Sequence, residues 1–81
     1  MSNTEKKLKE RVDIARKELN NLGVKSARLY FTIKYTEYRP KDNKDVQSIN
    51  RLDNLWYGKT TNDSFTEKLE SFVVFNKVHF T

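Results

Sequence analysis

Apolar residues in the first quarter of the chain fall at Leu8, Val12, Ala15, Leu19 and Leu22, three or four positions apart, with charged residues between them. That spacing gathers them on one face of an α-helix. Ser2 and Glu5 stand at capping-box separation ahead of the stripe, and Gly23 follows it as a residue free to take the left-handed conformation that closes helices. Glu5 with Lys9 and Asp13 with Lys17 add oppositely charged pairs in the favourable i, i+4 order. The pattern predicts a helix over about residues 4–22.

The period changes over residues 26–38. Ala27, Leu29, Phe31, Ile33 and Tyr35 take alternate positions, with Arg28, Tyr30, Thr32, Lys34 and Thr36 between them. Alternation rich in aromatic and β-branched side chains predicts a half-buried strand. A helix would throw Leu29 and Ile33 to the side opposite Phe31 and Tyr35. Pro40 and the run Lys41 to Asp45 then read as a polar loop.

A second amphipathic stretch follows, predicted as a helix over 46–57 with Asp45 or Asn43 as its cap and Gly58 as its end. Ile49, Leu52 and Trp56 share one side, with Leu55 at the flank; Gln47, Asn50, Arg51 and Asn54 lie almost opposite. Beyond the polar turn Lys59–Asn62, Ser64 and Glu67 repeat the capping-box spacing. Phe65, Leu69, Phe72 and Val73 then predict a short helix over about 64–73. Val73 through Phe80 is dense enough in Val and Phe to predict a closing strand, pairing antiparallel with 27–36. The expected fold is therefore α+β, one small domain over residues 1–81 in the order helix, strand, helix, helix, strand. A mainly α arrangement is the alternative.

Composition narrows the chemistry. An 81-residue chain without cysteine has no disulfide and no Cys/His zinc site to stabilise it, so ten aromatic residues must supply much of the core. The net charge of +5 favours an anionic partner, although a charge of that size also serves solubility alone. No apolar run approaches membrane-spanning length, and the opening Met-Ser-Asn-Thr-Glu-Lys-Lys is polar, unlike a signal peptide. A cytoplasmic protein without a membrane partner is expected. His79 is the single histidine, there is no glycine-rich phosphate loop, and no acidic loop has calcium-binding spacing. No enzyme activity, cofactor or metal is expected.

The front of helix 46–57 carries the first candidate site. Arg pairs with guanine and Asn or Gln with adenine, so Gln47, Asn50, Arg51 and Asn54 are candidate base readers, flanked by Lys44 and Lys59 as candidate phosphate contacts. The same composition also suits an ordinary solvated helix face. A second candidate surface is Arg28, Tyr30, Thr32 and Lys34. On one exposed strand face these could track a phosphate backbone, or the strand edge could pair with another protein.

The string Ile49-x-x-Leu52-x-x-Leu55-Trp56-x-Gly58-Lys59, followed by a capped helix, resembles the recognition helix and next helix of small phage repressor-like helix-turn-helix proteins. The resemblance covers residues 46–73, and it departs from that pattern where 26–38, the place of the preceding scaffold helix, reads as a strand. It implies a small intracellular phage-type DNA-binding regulator that reads DNA with helix 46–57; a homodimer is a separate expectation, because one module this small has a limited interface. The alternative is a phage or mobile-element interaction module that inhibits a host protein through the aromatic-rich strand 27–38.

Overall fold

The computed structural model describes residues 2–80 and the side chains of 4–79. It contains four α-helices: α1 (Ser2–Asn21), α2 (Ala27–Lys34), α3 (Val46–Trp56) and α4 (Asp63–Phe80). A single 3-10 turn at Thr36–Tyr38 follows α2. There is no strand among the described residues, so the α+β expectation is corrected to an all-helical fold.

Helix α1 forms where its stripe predicts, burying Leu8, Val12, Ala15 and Leu19. Its end is a Schellman arrangement: Gly23 N donates to the Asn20 carbonyl (3.0 Å), Val24 N to the Leu19 carbonyl (3.1 Å), and Gly23 sits at φ 78°. The Ser2 side chain, expected as the starting cap, lies outside the described side chains. Helix α3 repeats the same ending. Gly58 N reaches the Leu55 carbonyl (3.3 Å), Lys59 N the Asn54 carbonyl (2.8 Å), and Gly58 has φ 74°. A Cβ added at Gly58 would meet nothing within 4 Å, so the cost of a side chain there is conformational alone. Gly58→Ala should cost about 1–2 kcal/mol, the usual penalty of the left-handed region. A urea-unfolding midpoint equal to wild type would contradict this reading of the turn.

The two predicted strands are both helical, for a common reason. Over 27–38 the buried positions are Phe31, Thr32 and Tyr38, with Ala27 and Tyr35 half-buried against the core. Positions 27, 31, 35 and 38 are one helical face, not one strand face. Leu29 and Ile33 are 58% and 50% exposed, on the opposite side, as winding a helix requires. In α4 the buried set is Phe65, Thr66, Leu69, Phe72, Val73 and Asn76, a stripe that continues past Val73. Val74, Phe75 and Val78 lie off that stripe and are exposed. The helix thus runs seven residues beyond the expected 64–73 span, replacing the strand at 73–80. Its start differs too. Asn62 Oδ1 accepts from Phe65 N at 3.0 Å, so Asn62, and not Ser64, caps α4.

One core draws on all four helices. Helices α1 and α4 pack together through Val12, Ala15 and Leu19 against Leu69, Phe72 and Val73. Phe31, with no exposed surface, is the hub of an aromatic cluster. Its ring centroid lies 4.9 Å from Tyr35, 5.6 Å from Tyr38, 5.8 Å from Trp56, 5.3 Å from Phe65 and 5.6 Å from Phe72. All five contacts are tilted or edge-to-face, as ring quadrupoles favour.

Arg11 on α1 and Glu70 on α4 staple the main helix pair in a two-pronged ion pair, with Nε to Oε2 at 2.9 Å and the second nitrogen to Oε1 at 2.5 Å. The hydrogen bond from Arg11 holds the Glu70 carboxyl below its ordinary range. A carboxyl lowered on folding adds stability above its unfolded pKa of about 4.3 and loses it as pH falls through the lower folded value. The advantage of wild type over Glu70→Gln should therefore be present at neutral pH and fade through the acid range. Thermal melts of the two proteins across pH should show this, and a pH-independent difference would refute it.

Candidate functional site

Helix α3 owes its position to two faces of different chemistry. Leu52, Leu55 and Trp56 are buried in the common core, and Ile49 is half-buried beside them. That anchoring turns Gln47, Asn50 and Arg51 outward to solvent, with Asn54 half-buried at the end of the same face. The four fall at i, i+3, i+4 and i+7, so the structure brings together all four expected base-reading candidates. Eleven residues of helix span roughly 16 Å, enough to lie in a major groove about 12 Å wide.

The ends of the helix are built locally. Asp45 is the cap: its carboxylate accepts from Ser48 N (3.4 Å) and from Lys41 N (3.0 Å). The Lys41 backbone bond is the main cause that holds the Asp45 carboxyl below its ordinary range, followed by the bonds from Ser48. Through these bonds Asp45 folds the 41–45 loop onto the start of α3. Lys44, whose backbone N donates to Asp42 Oδ1 at 2.8 Å, is exposed at that end. At the other end the Asn54 carbonyl accepts from Lys59 N and Thr60 N (2.8 and 3.2 Å), leaving Lys59 exposed just past the helix. The turn that follows runs back beside α3, so Thr60 and Thr61 border a shallow recess of about 480 Å³ along the Gln47–Asn54 face.

The side chains of this face are little used by the fold. Among the described residues, Gln47, Asn50 and Asn54 form no side-chain hydrogen bond, and Arg51 has only a cation–π contact, 5.7 Å from the Tyr38 ring centroid. Side-chain amides and a guanidinium without internal hydrogen bonds can pair with an outside donor–acceptor pattern.

The second expected surface is not one surface. With α2 in place of a strand, Arg28 and Thr32 share one side while Tyr30 and Lys34 share another. Arg28 forms an ion pair with Asp53 of α3. Thr32 is buried and its hydroxyl donates to the Leu29 carbonyl at 2.7 Å. The proposed alternation of exposed basic and aromatic residues on one face is therefore corrected: the four residues divide into two pairs, and Tyr30 and Lys34 lie on a groove with Phe75. Val24, Ile33, Phe75 and Asn76 of that groove were not among the expected site residues. For Ile33 and Phe75 the signal is an apolar residue lying off its helix's buried stripe; Val24 sits in the α1–α2 turn, and Asn76 is a polar residue on the buried stripe.

The helix before α3 in the chain is α2, where a strand was expected. Residues 35–45 join it to α3, where a helix-turn-helix has a turn of three or four residues. No group of three or more His, Cys, Asp or Glu that could hold a metal ion occurs among the described residues, and no helix among them is long and apolar enough to cross a membrane. No protein-family model, curated protein or solved structure matches the chain.

Proposed function

We propose that this protein is a small DNA-binding regulator, of the phage repressor-like kind its sequence resembles, that lays the outer face of α3 in the major groove. The observation that carries this reading is the set Gln47, Asn50, Arg51 and Asn54 on one face of α3. None of the three amides has an internal hydrogen-bond partner among the described residues, and Lys44 and Lys59 stand at the two ends. Arg presents two donors to guanine, and Asn or Gln presents a donor and an acceptor to adenine. The lysines would hold phosphates on either side and fix the helix in register. The net charge of +5 adds a sequence-independent attraction to the duplex.

Fluorescence anisotropy with labelled duplex DNA tests this directly. Each phosphate contact releases condensed counterions, so two lysine contacts alone correspond to roughly a tenfold loss of affinity between about 50 and 200 mM salt. Binding with at least that salt dependence is expected, followed by enrichment of a defined site from a random duplex pool. Absence of binding at the lower salt would remove the reading.

A further inference from the structure

Winding residues 27–34 as a helix leaves Tyr30 and Ile33 outside the core, each about half exposed. They do not stand alone. With Val24 of the α1–α2 turn and Phe75 of α4 they wall a groove of about 580 Å³, within the size range of sites that take one or two bulky apolar groups. Buried Phe72 and Asn76 line it from α4. Asn76 is 2% exposed; its amide nitrogen donates to the Phe72 carbonyl at 2.7 Å, while its oxygen receives no hydrogen bond among the described residues. Asn76 lines the groove, and its amide oxygen is a hydrogen-bond acceptor.

The charges on the groove have one sign. Its lining includes Lys25 and Lys34 and no carboxylate. The Lys34 ammonium is held over the aromatic wall, 4.2 Å from the Phe75 ring centroid. An apolar trough edged by cations and offering a buried acceptor has a complement of definite chemistry.

We infer that this groove docks an acidic amphipathic segment of a partner protein, one bulky apolar side chain entering between Tyr30, Ile33 and Phe75 while its carboxylates meet Lys25 and Lys34. Helix-in-groove recognition uses this division between apolar anchors and flanking charge. A second copy of the chain fits worse, because a two-fold pairing through this patch would set Lys25 and Lys34 against the same lysines. Duplex DNA would satisfy the lysines but leave Ile33 and Phe75 facing water. The inference is independent of the α3 reading, since α2, α4 and the α1–α2 turn alone build the groove.

The test is selection of random 16-residue peptides, displayed on phage, against the intact protein, with fluorescence titration of the enriched sequences. Enriched peptides should be net acidic with one or two Leu, Ile, Phe or Trp. Their affinity should fall at least tenfold both in the double variant Lys25→Glu/Lys34→Glu and in Ile33→Asp. All three side chains are exposed, so both variants should keep the wild-type helical circular dichroism. No enrichment, enrichment of neutral or basic peptides, or binding indifferent to the variants would overturn the inference. A wild-type dimer in sedimentation that Ile33→Asp dissolves would overturn it as well, assigning the face to a second copy.

Discussion

Phe31→Ala should leave the protein largely unfolded or close to it. Phe31 is fully buried and its ring meets five other aromatic rings, from Tyr35 at the end of α2, the 3-10 turn, α3 and α4. Truncating a buried Phe costs about 3–5 kcal/mol, and a domain of this length has only roughly 4–12 kcal/mol in total. At about 4–8 °C per kcal/mol, the midpoint of thermal unfolding should fall by about 15 °C or more. Ile33→Ala is the informative companion. In a strand, residues two apart share a face, so both substitutions would damage one core. In α2 the two side chains point apart, and Ile33→Ala should cost no more than about 0.5–1 kcal/mol. Comparable losses from the two variants, read by circular dichroism in urea, would contradict the helical placement of this segment.

That contrast also explains what could be read from the sequence. Helices α1 and α3 were legible because most of their apolar residues serve the core, with Ile14 and Val46 the exposed exceptions. Leu8, Val12, Ala15 and Leu19 are buried, as are Leu52, Leu55 and Trp56, and Gly23 and Gly58 stand where the chain must turn left-handed. The segment 27–38 misleads because Leu29, Tyr30 and Ile33 are apolar or aromatic yet outside the core, so the hydrophobic period looks like two when the buried period is that of a helix. In α4 the deception is reversed. Asn76 takes a buried stripe position and returns its amide hydrogen bond to the Phe72 carbonyl, four residues back, so a polar residue hides the continuation of the stripe. Val74, Phe75 and Val78 then supply an apolar run on the exposed side that imitates a strand. Residues that defeat the pattern in both places, Ile33, Phe75 and Asn76, converge on one groove. The misreading and the missed surface share their residues: Ile33 and Phe75 are apolar side chains kept for the outside, and Asn76 is a polar one kept on the buried stripe. The α3 face was legible for the opposite reason, since its polar residues are a clean complement to a buried stripe. What a single chain could not convey is the recess made when the turn after Gly58 folds back along that face, because it depends on Asn54 accepting from Lys59 and Thr60.

Substitutions on α3 should separate base reading from general attraction to DNA. Asn50 and Arg51 are exposed, Asn50 has no side-chain partner among the described residues, and Arg51 has only its distant contact with the Tyr38 ring. Asn50→Ala and Arg51→Ala should therefore leave the thermal midpoint near the wild-type value. Each should nevertheless lose about 1–3 kcal/mol of discrimination at its base pair, roughly 5- to 150-fold in the ratio of selected-site to random-duplex affinity. Because the two are neighbours on one helix, the double variant need not equal their sum. Lys44→Ala should behave differently. A phosphate contact carries no sequence information, so this change should weaken selected and random duplexes alike and reduce the salt slope by about one. Salt-dependent anisotropy on both duplexes reads the two behaviours separately. If Asn50→Ala and Arg51→Ala shift both duplexes by the same factor, α3 supplies charge and contact but does not read sequence. If none of the three substitutions changes binding, the DNA surface lies elsewhere on the molecule and the α3 face is ordinary solvated surface.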